Sequence, residues 1–159
     1  MRTLLVGLGN PILGDDGIGW KVAEEVKSKL PAGLCVDVEC LSLGGISLME
    51  RLIGYSRAIL VDALALDDPL GSILILKLED MPNYSAYHTT SPHGISLQNA
   101  IAMGKALGAK LPEEVMVVGI ATRRIHEFGA ELSPPVANAV PLAAKFVLDL
   151  LGEKATVGK

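Results

Sequence analysis

The residues of this chain best suited to chemistry are acids and an imidazole set in turn-rich surroundings. Asp15 and Asp16 lie in "LLVGLGNPILGDDGIG" (4–19), Asp62 ends the apolar run in "AILVD", and His93 stands in "SPHGISL". Two carboxylates and an imidazole form an O,O,N donor set, which suits zinc, nickel or another borderline divalent ion with coordination positions left open. Each residue also has a plainer use. Asp15 and Asp16 could be ordinary helix N-terminal acids, worth about 0.3–1 kcal/mol each against the helix dipole. Asp62 could cap a loop, and His93 could simply be a polar residue entering a helix. The case for a site therefore rests on convergence. No rival nucleophile stands out: no Ser or Cys sits in a G-x-S-x-G setting, and there is no H-E-x-x-H.

The Gly-rich corner invites a nucleotide-binding reading, which its spacing opposes. A dinucleotide fingerprint needs G-x-G-x-x-G, whereas Gly7 and Gly9 are followed by Asn10, Pro11, Ile12, Leu13 and only then Gly14. Asp15 and Asp16 would also stand where a helix N-terminus should meet phosphate, and two carboxylates repel an anion.

The elements that must position these residues follow from periodicity. Residues 3–7 read as a buried strand, and Ile18, Val22 and Val26 recur at helical spacing after the two acids. Further strands are expected at 34–40, 57–64, 71–78 and 113–122, with helices at 46–55, 95–107 and 133–151. Ser133 is a natural N-cap with Pro134 in the first helical position, and Pro141 is expected to kink or divide the last helix near Ala137 or Asn138. The link "ALDDPLG" is too short for a parallel crossover, so the third and fourth strands should pair antiparallel. The expected fold is α/β, a three-layer α/β/α sandwich around a five-stranded, mostly parallel twisted sheet with one antiparallel strand. Residues 1–152 form one domain, and 153–159 form a frayed tail without apolar periodicity. In such sheets ligands bind outside the carboxyl ends of the strands. The loops after the first and third strands, carrying Asp16 and Asp62, should face one crevice, and the polar loop 80–93 can bring His93 to it.

Composition narrows the function classes. Half of the 159 residues are apolar and the formal net charge is -4, with five arginines and nine lysines scattered along the chain. Nucleic-acid affinity rests mainly on Lys and Arg neutralising phosphates, so a nucleic-acid partner is not expected. Apolar stretches are broken by acids, Gly or Pro, and no membrane helix is expected. Cys35 and Cys40, five apart in one strand, point to opposite faces and cannot pair with each other, which fits a reducing, cytoplasmic setting.

Taken in order, "LLVGLGNPILGDDGIG", "ILVDAL", "SPHGISL", "VVGI" and "ELSPPV" closely resemble the hydrogenase maturation endopeptidases that process the large subunit of [NiFe] hydrogenase. The resemblance covers residues 1 to about 151. It implies a metal-contacting and catalytic site made of an acid closing the first motif, an acid ending the third strand and the His after Ser-Pro, which here are Asp16, Asp62 and His93. It further implies a cytoplasmic peptide hydrolase whose partner is the large-subunit precursor and which removes a short C-terminal extension after nickel insertion. The nickel would be presented by the precursor, with no organic cofactor. The oligomeric state is left open, a monomer being compatible. One departure lies after the second strand, where the family usually shows an Asp-Gly-Gly-Thr-like turn and this chain has "CLSLGGISLME". Two other readings are weaker. "VGLGNP" also resembles the opening of peptidyl-tRNA hydrolase, but no His precedes His88 here. A noncatalytic metal-binding or chaperone module could use the same scaffold.

Overall fold

The near-continuous apolar run "AILV" before Asp62 is what a strand buried on both faces requires, and it forms the centre of the sheet. The computed structural model describes residues 2–81, 95–123 and 128–157, with side chains as far as residue 152. In chain order the elements are β1 (Thr3–Leu8), α1 (Ile18–Lys29), β2 (Val36–Leu41), α2 (Gly45–Leu52), β3 (Arg57–Ala65), β4 (Ile73–Lys77), α3 (Leu97–Ala106), β5 (Glu114–Thr122) and α4 (Pro134–Val157). Short 3-10 turns occupy Gly14–Gly17 and Leu78–Asp80.

The five strands lie in the order β2-β1-β3-β5-β4, all parallel except β4. The antiparallel direction of β4 agrees with the short 65–71 link, but its neighbour is β5 rather than β3. After α3 the chain returns to place β5 between them, and a link length restricts direction without naming the neighbour.

Side-chain alternation sorts the core into two layers. Leu4, Val6 and Leu8 of β1 and Ala58, Leu60 and Leu64 of β3 pack with Leu48, Leu52, Leu97 and Ile101 of α2 and α3. Leu5, Ile59, Val61 and Ala63 face the other way, onto Ile18, Val22 and Val26 of α1 and Val136, Ala143 and Val147 of α4. This is the expected three-layer sandwich. β1 connects to β2 on one side and β2 connects past β1 to β3 on the other, so the strand order reverses between β1 and β3. Ligands favour that point in open α/β sheets.

The last helix extends past its expected end and, of the two outcomes expected of Pro141, a kink or a division, it shows no division. The bond Pro141 removes frees the carbonyl of Ala137, and both residues are exposed, so water can satisfy that carbonyl while the buried face stays continuous. The backbone stays helical to Val157, beyond the end expected near residue 151 and into the segment expected to fray. Pro134–Gly152 is also long and apolar enough to cross a membrane by length and composition, against the expectation of no membrane helix. Its Val136, Ala139, Ala143, Ala144, Val147 and Leu151 are buried in the core beside α1, while Lys145 and Asp149 lie on the exposed side, the pattern of a core helix in a globular domain.

Candidate active site

The loop leaving β1 is a built structure. Asn10 accepts the Ile12 N–H on its side-chain oxygen at 3.1 Å, and its carbonyl accepts the Leu13 N–H at 3.1 Å, an Asx-type turn suited to an Asn-Pro pair. Gly9 holds φ +144°, and a Cβ there would lie 1.9 Å from the Asp16 carbonyl oxygen, so only glycine fits. The same corner is tied to the end of β2, because the Gly9 N–H donates to Leu41 O at 3.1 Å and the Ser42 hydroxyl donates to Gly9 O. The glycines thus let backbones approach one another rather than a phosphate.

Asp16 turns inward beneath this loop. Its carboxylate accepts the Asn10 N–H at 2.8 Å, and the residue is 5% exposed. Three residues later, a Cβ at Gly19 would lie 2.3 Å from Leu8 O and 2.4 Å from Val61 O, so α1 sits directly over the end of β1 and over β3 at the residue before Asp62. The β1–β3 pairing has its last rung at Gly7–Val61, and Asp62 is the next residue, still paired with Gly119 of β5. Asp16 and Asp62 therefore flank the opening between the two strands at the switch point. By alternation Asp62 shares the α2–α3 face with Leu60 and Leu64, whereas Asp16 comes from the α1 side. Both carboxylates are buried, Asp62 completely, where an open surface cleft was expected. A central strand encloses Asp62, and the 9–14 loop roofs Asp16. Buried carboxylates persist where hydrogen bonds or charge partners hold them, and both residues have such interactions.

Asp15 points away from this opening. Its carboxylate accepts the Ser133 N–H at 2.6 Å and the Ser133 hydroxyl at 2.7 Å, so it serves the start of α4 rather than α1. Ser133 is the partner that sequence reasoning missed, since nothing local links positions 118 residues apart. His93, like His88 and His126, lies outside the described residues. The chain re-enters the described structure at Ile95, whose carbonyl oxygen would be 2.8 Å from a Cβ at Gly45, the first residue of α2. The "LGG" corner that replaces the family's Asp-Gly-Gly-Thr-like turn thus touches the segment that follows His93. Among the described residues no group of three His, Cys, Asp or Glu side chains is placed to hold a metal ion.

Other chemistry is disfavoured nearby. Burial, and then Glu24, push the Cys40 thiol above its ordinary value, opposite to what a nucleophilic or metal-binding thiolate needs. A cavity of about 750 Å³ opens at the far end of the sheet, where Thr3, Arg57 and Glu114 begin their strands. It lies at the opposite end of the sheet from Asp16 and Asp62.

Fold and site together define an α/β protein with Asp16 and Asp62 beside the topological switch point of the sheet. Residues 21–150 match the hydrogenase maturation protease family HycI. The E. coli hydrogenase 2 maturation protease is 25% identical over 96% of this chain and 92% of its own length. The hydrogenase expression/formation protein HoxM of Azotobacter vinelandii is 25% identical over 98% of this chain and 75% of its own. Among solved structures, the E. coli hydrogenase maturating endopeptidase HybD superimposes with a TM-score of 0.74 at 27% identity, covering 97% of this chain and 94% of that one. The hydrogenase 2 maturation peptidase of a Thaumarchaeota archaeon gives 0.68 at 28% identity, covering 96% and 99%. The chain belongs to the hydrogenase maturation protease family, a family of peptide hydrolases.

Proposed function

We propose that this protein removes the C-terminal extension of a [NiFe] hydrogenase large-subunit precursor after nickel insertion, using Asp16, Asp62 and His93. The observation that supports the reading is that Asp16, in the turn after β1, and Asp62, within β3, both lie beside the end of the β1–β3 pairing in a maturation-protease fold. Carboxylate oxygens and an imidazole nitrogen suit a borderline divalent ion, and a metal held there by substrate thiolates would polarise the scissile carbonyl or activate water. The acids' part is to be held in place: Asn10 fixes Asp16, and the β3–β5 pairing fixes Asp62. The protein is proposed to work in the cytoplasm. The test is incubation with a nickel-loaded large-subunit precursor, followed by mass spectrometry of the precursor's C-terminus. Loss of a discrete C-terminal peptide is expected. Binding without any mass change would favour a noncatalytic assembly module.

A further inference from the structure

Large apolar side chains exposed on a globular domain need explanation when they stand together beside a site. Phe128 is 87% exposed and Ile12 57% exposed. They belong to segments far apart in sequence that a short parallel bridge joins: Leu13 pairs with Gly129, the Gly129 N–H donates to Ile12 O at 2.9 Å, and the Gly14 N–H donates to Gly129 O at 2.8 Å. Ile12 and Phe128 are the residues immediately before the bridged pair, so they stand side by side, about 5 Å apart in backbone. Ile12 also lies within the loop that roofs Asp16, two residues past the Asn10 N–H that holds its carboxylate.

We infer that Ile12 and Phe128 form an apolar lip that binds a bulky apolar side chain of the polypeptide substrate, next to the bond cut at Asp16 and Asp62. The inference rests on the protease reading and adds a specificity-determining contact to it. Three observations choose a polypeptide segment as the occupant. The lip is continuous with the loop that holds Asp16, the family acts on polypeptides, and the bridge fixes both residues so that little ordering is needed on binding. Neither side chain supports the core, so both can be changed without unfolding the protein. Leu107, 83% exposed at the end of α3, is a control with the same exposure remote from the site.

The experiment compares wild type with Ile12→Ser, Phe128→Ser and Leu107→Ser in two assays on the large-subunit precursor: equilibrium binding, and cleavage resolved into kcat and KM. The expected result is about tenfold weaker binding and about tenfold higher KM for the two lip variants, kcat within about twofold, and no change for Leu107→Ser. Unchanged binding by both lip variants would overturn the inference. A dimeric wild type that becomes monomeric on Phe128→Ser, with precursor affinity intact, would overturn it in favour of a contact between copies. If the wild type binds precursor but never cuts it, the protease reading fails, while the affinity ratio still decides the lip.

Discussion

Asp15 grips the residue before α4 with both carboxylate oxygens, one on the Ser133 N–H and one on its hydroxyl. Ser133 sits at the N-cap, because its carbonyl already accepts the Ala137 N–H at 2.8 Å. Pro134 and Pro135 carry no N–H, so the first turn of α4 has fewer orphan donors to satisfy, and the Ser133 hydroxyl can donate to Asp15. The adjacent acids therefore divide the work: Asp15 fastens the C-terminal helix to the loop and Asp16 lines the opening.

Asp15→Ala should cost stability and largely spare activity. Losing two hydrogen bonds to a charged, half-buried acceptor is worth about 2 kcal/mol, or roughly 4–8 °C in Tm for a chain of this size. Thermal unfolding measures the drop. A normal Tm combined with lost cleavage would reverse the assignment of the two acids.

Asp16→Ala and Asp62→Asn should chiefly cost activity, with Asp16→Ala also losing the hydrogen bond that its buried carboxylate accepts from Asn10. Each is expected to lower precursor cleavage at least about 100-fold. Circular dichroism and urea midpoints should show the fold retained for Asp62→Asn, which keeps the shape of a fully buried side chain. Cleavage within tenfold of wild type by either variant would remove that residue from the catalytic set.

Among the histidines, His93→Ala should abolish metal contact and cleavage, whereas His88→Ala and His126→Ala should leave both near wild type. Metal titration followed by calorimetry separates the three. Loss of metal binding in His126→Ala alone would move the imidazole ligand to the loop after β5.

A pH effect is expected at the opposite end of the sheet. The Tyr55 hydroxyl, donating at 2.7 Å, and the Arg2 guanidinium hold the Asp37 carboxyl below its ordinary value, and Arg2 lies over the Tyr55 ring at 4.9 Å. Because the folded pKa is depressed, this contribution is fully present above the unfolded carboxylate value of about 3.9 and is lost as pH falls through the lower folded value. The hydrogen bond to Asp37 raises the Tyr55 pKa, so that contribution is present below the unfolded phenol value of about 10 and is lost at higher pH. Asp37→Asn should thus be less stable than wild type in urea at pH 7, with the gap closing below about pH 4. An equal gap at pH 7 and pH 3 would show that the Asp37 charge is not what matters.

Much of this arrangement was legible because it is local or periodic. The apolar run before Asp62 marks a central strand, although β3 continues past that acid to Ala65, and the turn chemistry of "GNP" marks the loop above Asp16. What the sequence does not display is pairing across distance. Nothing near Ser133 points to Asp15, the insertion of β5 beside β4 depends on how α3 packs on the sheet, and the tolerance of Pro141 depends on which face of α4 meets water. The burial of both acids is likewise a tertiary outcome, set by how closely α1 rides over Leu8 and Val61 at Gly19.

The metal is expected to arrive with the precursor rather than to reside in the free protein. Asp16, Asp62 and His93 would supply only three protein ligands and no soft thiolate, so the free protein should hold divalent metal weakly and be isolated largely without it. Nickel bound by precursor thiolates would supply the missing ligands, so that the full coordination sphere exists only in the complex and cleavage is coupled to metal insertion. Chelator-treated protein should therefore cut nickel-loaded precursor and leave nickel-free precursor intact. Equal rates on the two precursors would defeat the substrate-metal reading. Rescue of nickel-free precursor by zinc alone would instead indicate a metallopeptidase carrying its own ion.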